Sequence, residues 1–143
     1  MALWLFKQEP GCYPYSQLEK EGKTEWDGVR NNLALQNLRK IAPGDLAFFY
    51  HTGKEKSIIG VMCITKVAKM NPRFPAVNIP LVEVIPVRSL AKPVTLGQIK
   101  AKKALATWEL LRLPRLSVVP VSSHQWKLIE EMSLEANEYF GNG

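Results

Sequence analysis

Apolar and polar positions along this chain come in short blocks rather than in long periodic stretches, and the blocks differ in kind. Residues 3–6, Leu-Trp-Leu-Phe, form a short apolar run that reads as a buried strand. Residues 11–15, with Pro10 and Pro14, make a turn-rich loop. Ser16 and Glu19 then have the spacing of a capping box, predicting a short helix that stops near Gly22. Trp26-Asp27-Gly28 reads as a turn. Asn31 or Asn32 caps a second helix with Ala34, Leu35, Leu38 and Ile41 on one face, and Pro43-Gly44-Asp45 ends it.

Strand patterns dominate the middle of the chain. Residues 46–51 and 58–67 are rich in β-branched, aromatic and apolar side chains, and the polar stretch 52–57 joins them as a hairpin with a longer loop. Residues 71–80 hold Pro72, Pro75 and Pro80 and are expected to be irregular. Strand character returns over 81–87, where Pro86 marks an edge or a strand end. Thr95 with Gln98 makes a second capping box, opening a helix through about Leu105. Residues 115–121 read as a strand limited by Pro120. Ser122 or Ser123 caps a last helix carrying Trp126, Ile129, Met132 and Leu134. The order β-α-α-β-β-β-α-β-α predicts an α+β domain around a mixed or barrel-like sheet of about five strands.

Length and composition agree with one such domain. The 143 residues fit a single unit, 1–143, with a core over about 3–138, and 46% of them are hydrophobic. A chain of this size buries roughly 68% of its unfolded surface. Gly141-Asn142-Gly143 is expected to fray. No apolar run is long enough for a membrane span, and Met1-Ala2-Leu3-Trp4 lacks the basic start of a signal peptide. The expected compartment is the cytoplasm, or the nucleus in a eukaryote. Cys12 and Cys63 have no metal-ligand spacing; Cys63 reads as a core residue, and no disulfide is expected.

Charge points toward a polyanionic partner as readily as toward ordinary solubility. Residues 1–127 carry all 19 basic residues and nine of the 13 acids, a net +10, and the remainder a net −4. Catalytic motifs are absent: no H-E-x-x-H, paired C-x-x-C, phosphate-cradling glycine loop or G-x-S-x-G elbow is present. With only His51 and His124 as histidines, neither a metal nor another cofactor is implied.

Four segments together resemble the EVE domain, a family of the PUA-like superfamily. They are Trp4-Leu5-Phe6-Lys7-Gln8-Glu9-Pro10 with its continuation from Tyr13 to Leu18; Trp26-Asp27-Gly28-Val29-Arg30-Asn31; Gly44-Asp45 with Phe49-Tyr50-His51-Thr52 and Ile59-Gly60-Val61; and Pro93-Val94-Thr95-Leu96 with the run from Arg115 to Val121. The resemblance implies a PUA-like open β-barrel flanked by helices. It also implies binding of a modified nucleobase, since the family includes readers of modified DNA bases and is kin to YTH and ASCH domains. One departure is visible: the stretch 69–80 is short, and Asn78-Ile79 stands where an aromatic residue is usual, so one wall of the implied pocket differs.

Reading a base requires an aromatic face and polar groups for its edge. The candidates for the base are Trp26, Val29, Arg30, Asn31, Tyr50, His51, Lys7, Glu9 and Ser117. Trp26 would be the stacking platform, or else a core plug. Asn31 offers a donor and an acceptor, or caps its helix; Arg30 meets phosphate or an internal acid. Tyr50 and His51 are neighbours on one strand and must point to opposite faces, so at most one faces a given pocket. Lys7 and Glu9 share a face and suit a rim ion pair. Arg112, Arg115, Lys102 and Lys103 are candidates for phosphate contacts, and Trp4, Trp108 and Trp126 for the core. The function expected is non-catalytic binding of modified DNA, modified cytosine first, or of modified RNA, by a monomer. The alternatives are an enzyme on a nucleotide or RNA using Lys7, Glu9 or His51 for proton transfer, and a regulatory interaction module.

Overall fold

The computed structural model describes residues 1–26, 32–68 and 80–142, with side chains described for 1–26, 33–68 and 80–134. Strands β1 (Leu3–Gln8), β2 (Thr24–Trp26), β3 (Leu46–His51), β4 (Ser57–Ala68), β5 (Leu81–Thr95) and β6 (Val118–Val121) form one curled, half-barrel sheet in the order β2-β5-β4-β3-β1-β6. Helices α1 (Tyr15–Glu21), α2 (Asn32–Leu38), α3 (Leu96–Ala101), α4 (Glu109–Arg112) and α5 (Ser123–Asn142) complete the α+β fold. No described helix is long and apolar enough to cross a membrane.

The apolar run of β1 follows from its place in the sheet. It lies between β3, to which it is parallel, and β6, to which it is antiparallel, so Trp4, Leu5 and Phe6 are all buried. A parallel pair cannot be joined by a hairpin, and the crossover from β1 to β3 carries α1, β2 and α2. Core side chains occupy both faces. On one, Phe49 meets Tyr15 of α1 and Phe6 meets Trp26; on the other, Phe48 stacks on Trp126 of α5 with ring centroids 3.7 Å apart. Trp4, Trp108 and Trp126 are buried, as expected of core residues.

Three local expectations are corrected. Trp26 ends a strand that was not expected, pairing with Val82 across β2 and β5, and the rest of the expected turn, Asp27-Gly28, lies outside the described residues; three residues are too few for a period-2 pattern to be read. β5 does not stop at 87 but continues through Pro86 and Pro93 to Thr95. Pro86 is tolerated because it faces Met62 beside a register shift, where a ladder hydrogen bond is already lost. Ser16 caps nothing: α1 starts one residue earlier with Pro14 as its N-cap, and Gly22 closes it in the left-handed conformation at φ 79°.

Other boundaries move less. The Thr95–Gln98 box has both of its bonds, and Ser122 and Gln125 make the equivalent pair at the start of α5. The helix expected through Leu105 ends at Ala101 and is followed by a 3-10 turn, Lys103–Leu105. The strand expected from 115 begins at Val118, after a turn in which Leu116 N–H donates to the Leu113 carbonyl. The cap at Asn31, the loop 71–79 and the final Gly143 lie outside the described residues.

Gly60 on β4 is fixed by packing. A Cβ at this position would sit 2.6–2.8 Å from the carbons of the Tyr15 ring. That ring cannot step aside: Tyr15 is 1% exposed, its hydroxyl reaches the carbonyls of Val61 at 2.8 Å and Arg88 at 2.9 Å, and its edge meets Phe49. Burial pushes its pKa up to about 12, with Glu19 adding to the rise, so the phenol stays a neutral donor near neutral pH. Gly60→Ala is expected to lower stability by about 1–3 kcal/mol. A denaturant midpoint that falls at constant m would show it; an unchanged midpoint would mean the ring yields.

Candidate nucleic-acid interface

The candidate residues fall on two faces of the sheet, and the β1–β3 register decides which. Phe6 pairs with Phe49 and Gln8 with His51; Lys7 pairs with Tyr50 and so stands on the opposite face. On the first face the Trp26 ring packs 5.1 Å from Phe6 and edge-on to Phe49 at 5.5 Å. Trp26 is 4% exposed, so these neighbours, rather than a ligand, take most of its surface.

What remains of Trp26 borders a hollow of about 210 Å³ lined by Gln8, Cys12, Tyr13, Thr24 and Glu25. Tyr13 is the accessible aromatic wall. It is half-buried, and its hydroxyl donates to Glu21 Oε1 at 2.5 Å. Burial first, then the Glu21 carboxylate, pushes its pKa up, which keeps the ring neutral. Sequence reading passed over Tyr13 as a loop residue, and also missed Gln8, Thr24 and Glu25. For Gln8 the signal was present, since period 2 along β1 puts it on the Phe6 face. For Thr24 and Glu25 there was none, because β2 itself was not seen.

His51 lies on the same face as Trp26 but is spent on structure. It is 6% exposed, and its ring meets Phe49 edge-on. Nε2 accepts the Tyr15 backbone N–H at 3.0 Å, which assigns the ring proton to Nδ1, 2.5 Å from Glu55 Oε2. The imidazole thus ties the first turn of α1 to the end of β3.

On the opposite face, Lys7 Nζ lies 5.7 Å from the centre of the Tyr50 ring and donates to the Pro114 carbonyl at 2.8 Å. Glu9 is engaged elsewhere, accepting from the Thr52 hydroxyl at 3.1 Å, so no Lys7–Glu9 rim pair forms. Burial lowers the Lys7 pKa and raises that of Tyr50. Ser117 is brought beside Lys7 through the main chain, its carbonyl accepting the Lys7 N–H at 2.9 Å. Lys7, Tyr50 and Ser117 are therefore together, whereas His51 and Trp26 are behind the sheet from them. Lys7, Glu9 and His51, the alternatives for proton transfer, thus stand in three different settings: Lys7 over Tyr50, Glu9 bonded to Thr52, and His51 behind the sheet.

Arg112 and Arg115 are exposed and flank a shallow apolar depression of about 290 Å³ formed with Leu33, Leu113, Pro114 and Leu116. Arg112 is partly held inward, its Nε donating to the Thr107 carbonyl at 2.9 Å and its guanidinium 3.8 Å from Glu109. Lys102 follows α3 and is half-buried, and Lys103 is exposed. Val29, Arg30 and Asn31 lie outside the described residues, as does the stretch 69–79.

Comparison with known proteins gives a consistent result. The family model described as EVE domain matches residues 2–132. Human thymocyte nuclear protein 1 is 31% identical over a 169-residue alignment that covers 94% of this chain and 74% of that protein. Among solved structures, Rpa0253 from Rhodopseudomonas palustris has a TM-score of 0.88 at 35% identity, covering 93% of each chain. The human THYN1 protein, in complex with 5-methylcytosine containing DNA, has a TM-score of 0.83 at 28% identity, covering 93% of this chain and 98% of that one.

Proposed function

Because this chain belongs to the EVE domain family, we propose that it binds nucleic acid by reading a modified base, without catalysis, and that DNA carrying a modified cytosine is its ligand. The hollow between Tyr13 and Trp26 carries the reading. It pairs an aromatic wall with the amide of Gln8 and the hydroxyl of Thr24, and Glu25 stands at its edge. Cytosine offers an amino donor beside ring acceptors, a pattern that an amide, with a donor and an acceptor of its own, matches. The related human protein, solved with 5-methylcytosine containing DNA, supports the same ligand class.

A base drawn from a duplex costs a few kcal/mol of lost stacking and pairing, and an aromatic wall returns about 1–3 kcal/mol. In this proposal the wall is Tyr13, and Trp26 stiffens the floor from the core. Val29, Arg30 and Asn31, the run that follows Trp26 in the sequence, are part of the proposed base contacts on the family resemblance alone. Arg112, Arg115, Lys102 and Lys103 supply phosphate contacts, so affinity falls steeply with salt.

Tyr13→Ala is expected to weaken binding of a 5-methylcytosine duplex about tenfold while leaving stability nearly unchanged. Cys12→Phe, at an exposed position on the rim, is expected to block the hollow. Fluorescence anisotropy with methylated and plain duplexes of one sequence measures both. Equal affinity for the two duplexes, or a Tyr13→Ala protein that binds as tightly as the parent, would sink the reading; preference for modified RNA would redirect it.

A further inference from the structure

We propose that the cleft on the other face of the sheet is a second binding site, which takes a phosphomonoester group. Three lysines from separate parts of the chain line it: Lys7 from β1, Lys56 from the β3–β4 loop and Lys100 from α3. Thr52 adds a hydroxyl, and Tyr50, Leu96 and Leu110 form an apolar floor. Among the described residues no Asp or Glu lines the cleft; Glu9 stands at its rim, bonded to Thr52.

Two further observations point to an anion. Lys7 has its pKa lowered by burial, so its charge is held where water solvates it poorly and an anion would relieve it. Lys56 is the only described non-glycine residue with positive φ, at 41°, and its carbonyl accepts the Leu96 N–H at 2.7 Å. A glycine would adopt that turn freely; a lysine held there marks a site at which the side chain is wanted.

The charge count selects the ester. A phosphomonoester carries close to two negative charges at neutral pH, against one for a backbone diester, and three ammoniums suit the former. The cleft encloses about 300 Å³, within the range of small-ligand sites, so the apolar floor has room for the organic part of the ester. A free nucleotide and the 5′-phosphorylated end of a nucleic acid share this chemistry. The site is independent of the base-reading hollow, which lies behind the sheet.

The test is an NMR titration of the full chain at constant ionic strength with inorganic phosphate, adenosine 5′-monophosphate and adenosine. Saturable shifts of the Thr52, Gly53 and Lys56 amides are expected with the first two and not with adenosine. Lys56→Gly and Lys100→Gln should each weaken binding of the monophosphate about tenfold, and Lys56→Gly should do so without loss of thermal stability, since it relaxes the turn. Tyr13→Ala should leave these shifts intact, which separates this site from base reading. A single-stranded oligonucleotide with and without a 5′-phosphate then identifies the source: an advantage for the phosphorylated end assigns it to nucleic acid, and equal binding of the two assigns it to free nucleotide. Adenosine acting as strongly as its monophosphate, or both lysine variants binding like the parent, would overturn the proposal.

Discussion

Trp26→Ala is expected to remove about 3–5 kcal/mol of stability, the range for truncating a large aromatic in a well-packed core. Trp26 is 4% exposed, tilts against Phe6 and meets Phe49 edge-on, so its removal leaves two rings facing a void. It also ends β2, which closes one side of the sheet through Trp26 and Val82. Against a typical total of 5–15 kcal/mol, such a loss brings the chain close to unfolding at physiological temperature. Loss of nucleic-acid binding in this variant would then report on the fold and say little about stacking. Trp26→Phe keeps an aromatic in place and should cost roughly half as much. Urea unfolding followed by circular dichroism measures both; a Trp26→Ala midpoint within experimental error of the parent would return Trp26 to the role of an exposed platform.

The contrast between Trp26 and Tyr13 shows how far the sequence could be read. A tryptophan before Asp-Gly signals importance but not direction, because a stacking platform and a core plug use the same residue at the same place. Burial depends on Phe6 and Phe49, which approach from strands 20 or more residues away. Tyr13 carried a weaker local signal, a tyrosine among turn residues, yet the loop leaves it half-exposed at the rim of the hollow.

Strands and helices were legible where the signal was local. The Thr95–Gln98 box needs only a three-residue spacing, and both of its bonds are present. Pro86 misled because a proline normally ends a ladder, and the sequence gives no sign of the register shift opposite Met62 that accommodates it. Tyr50 and His51 had to point apart by strand geometry alone. That Lys7 accompanies Tyr50, and Gln8 accompanies His51, follows only from the parallel register of β1 and β3, a long-range pairing without a turn to set it.

Asp45→Ala is expected to be as costly as Trp26→Ala, about 3–5 kcal/mol, for a different reason. The Asp45 carboxylate is 4% exposed and accepts three N–H groups at 3.0 Å: the Ala2 backbone through Oδ1, and the Trp4 indole and Ala42 backbone through Oδ2. It thereby ties the start of β1, the loop after α2 and the start of β3 into one corner. Hydrogen bonds to a charged acceptor are worth about 1.5–3 kcal/mol each, and removing the acceptor strands donors that have little access to water. Two of the three donors are only part-buried, which keeps the sum below the arithmetic maximum. Asp45→Asn separates charge from shape. With its carbonyl turned toward Trp4 and Ala42 it retains two of the three bonds, and it should lose about 1–2 kcal/mol. A chain in which Asn and Ala at this position are equally destabilised would show that the charge, and not the hydrogen-bond geometry, holds the corner; one in which neither matters would show that packing of Trp4 alone suffices.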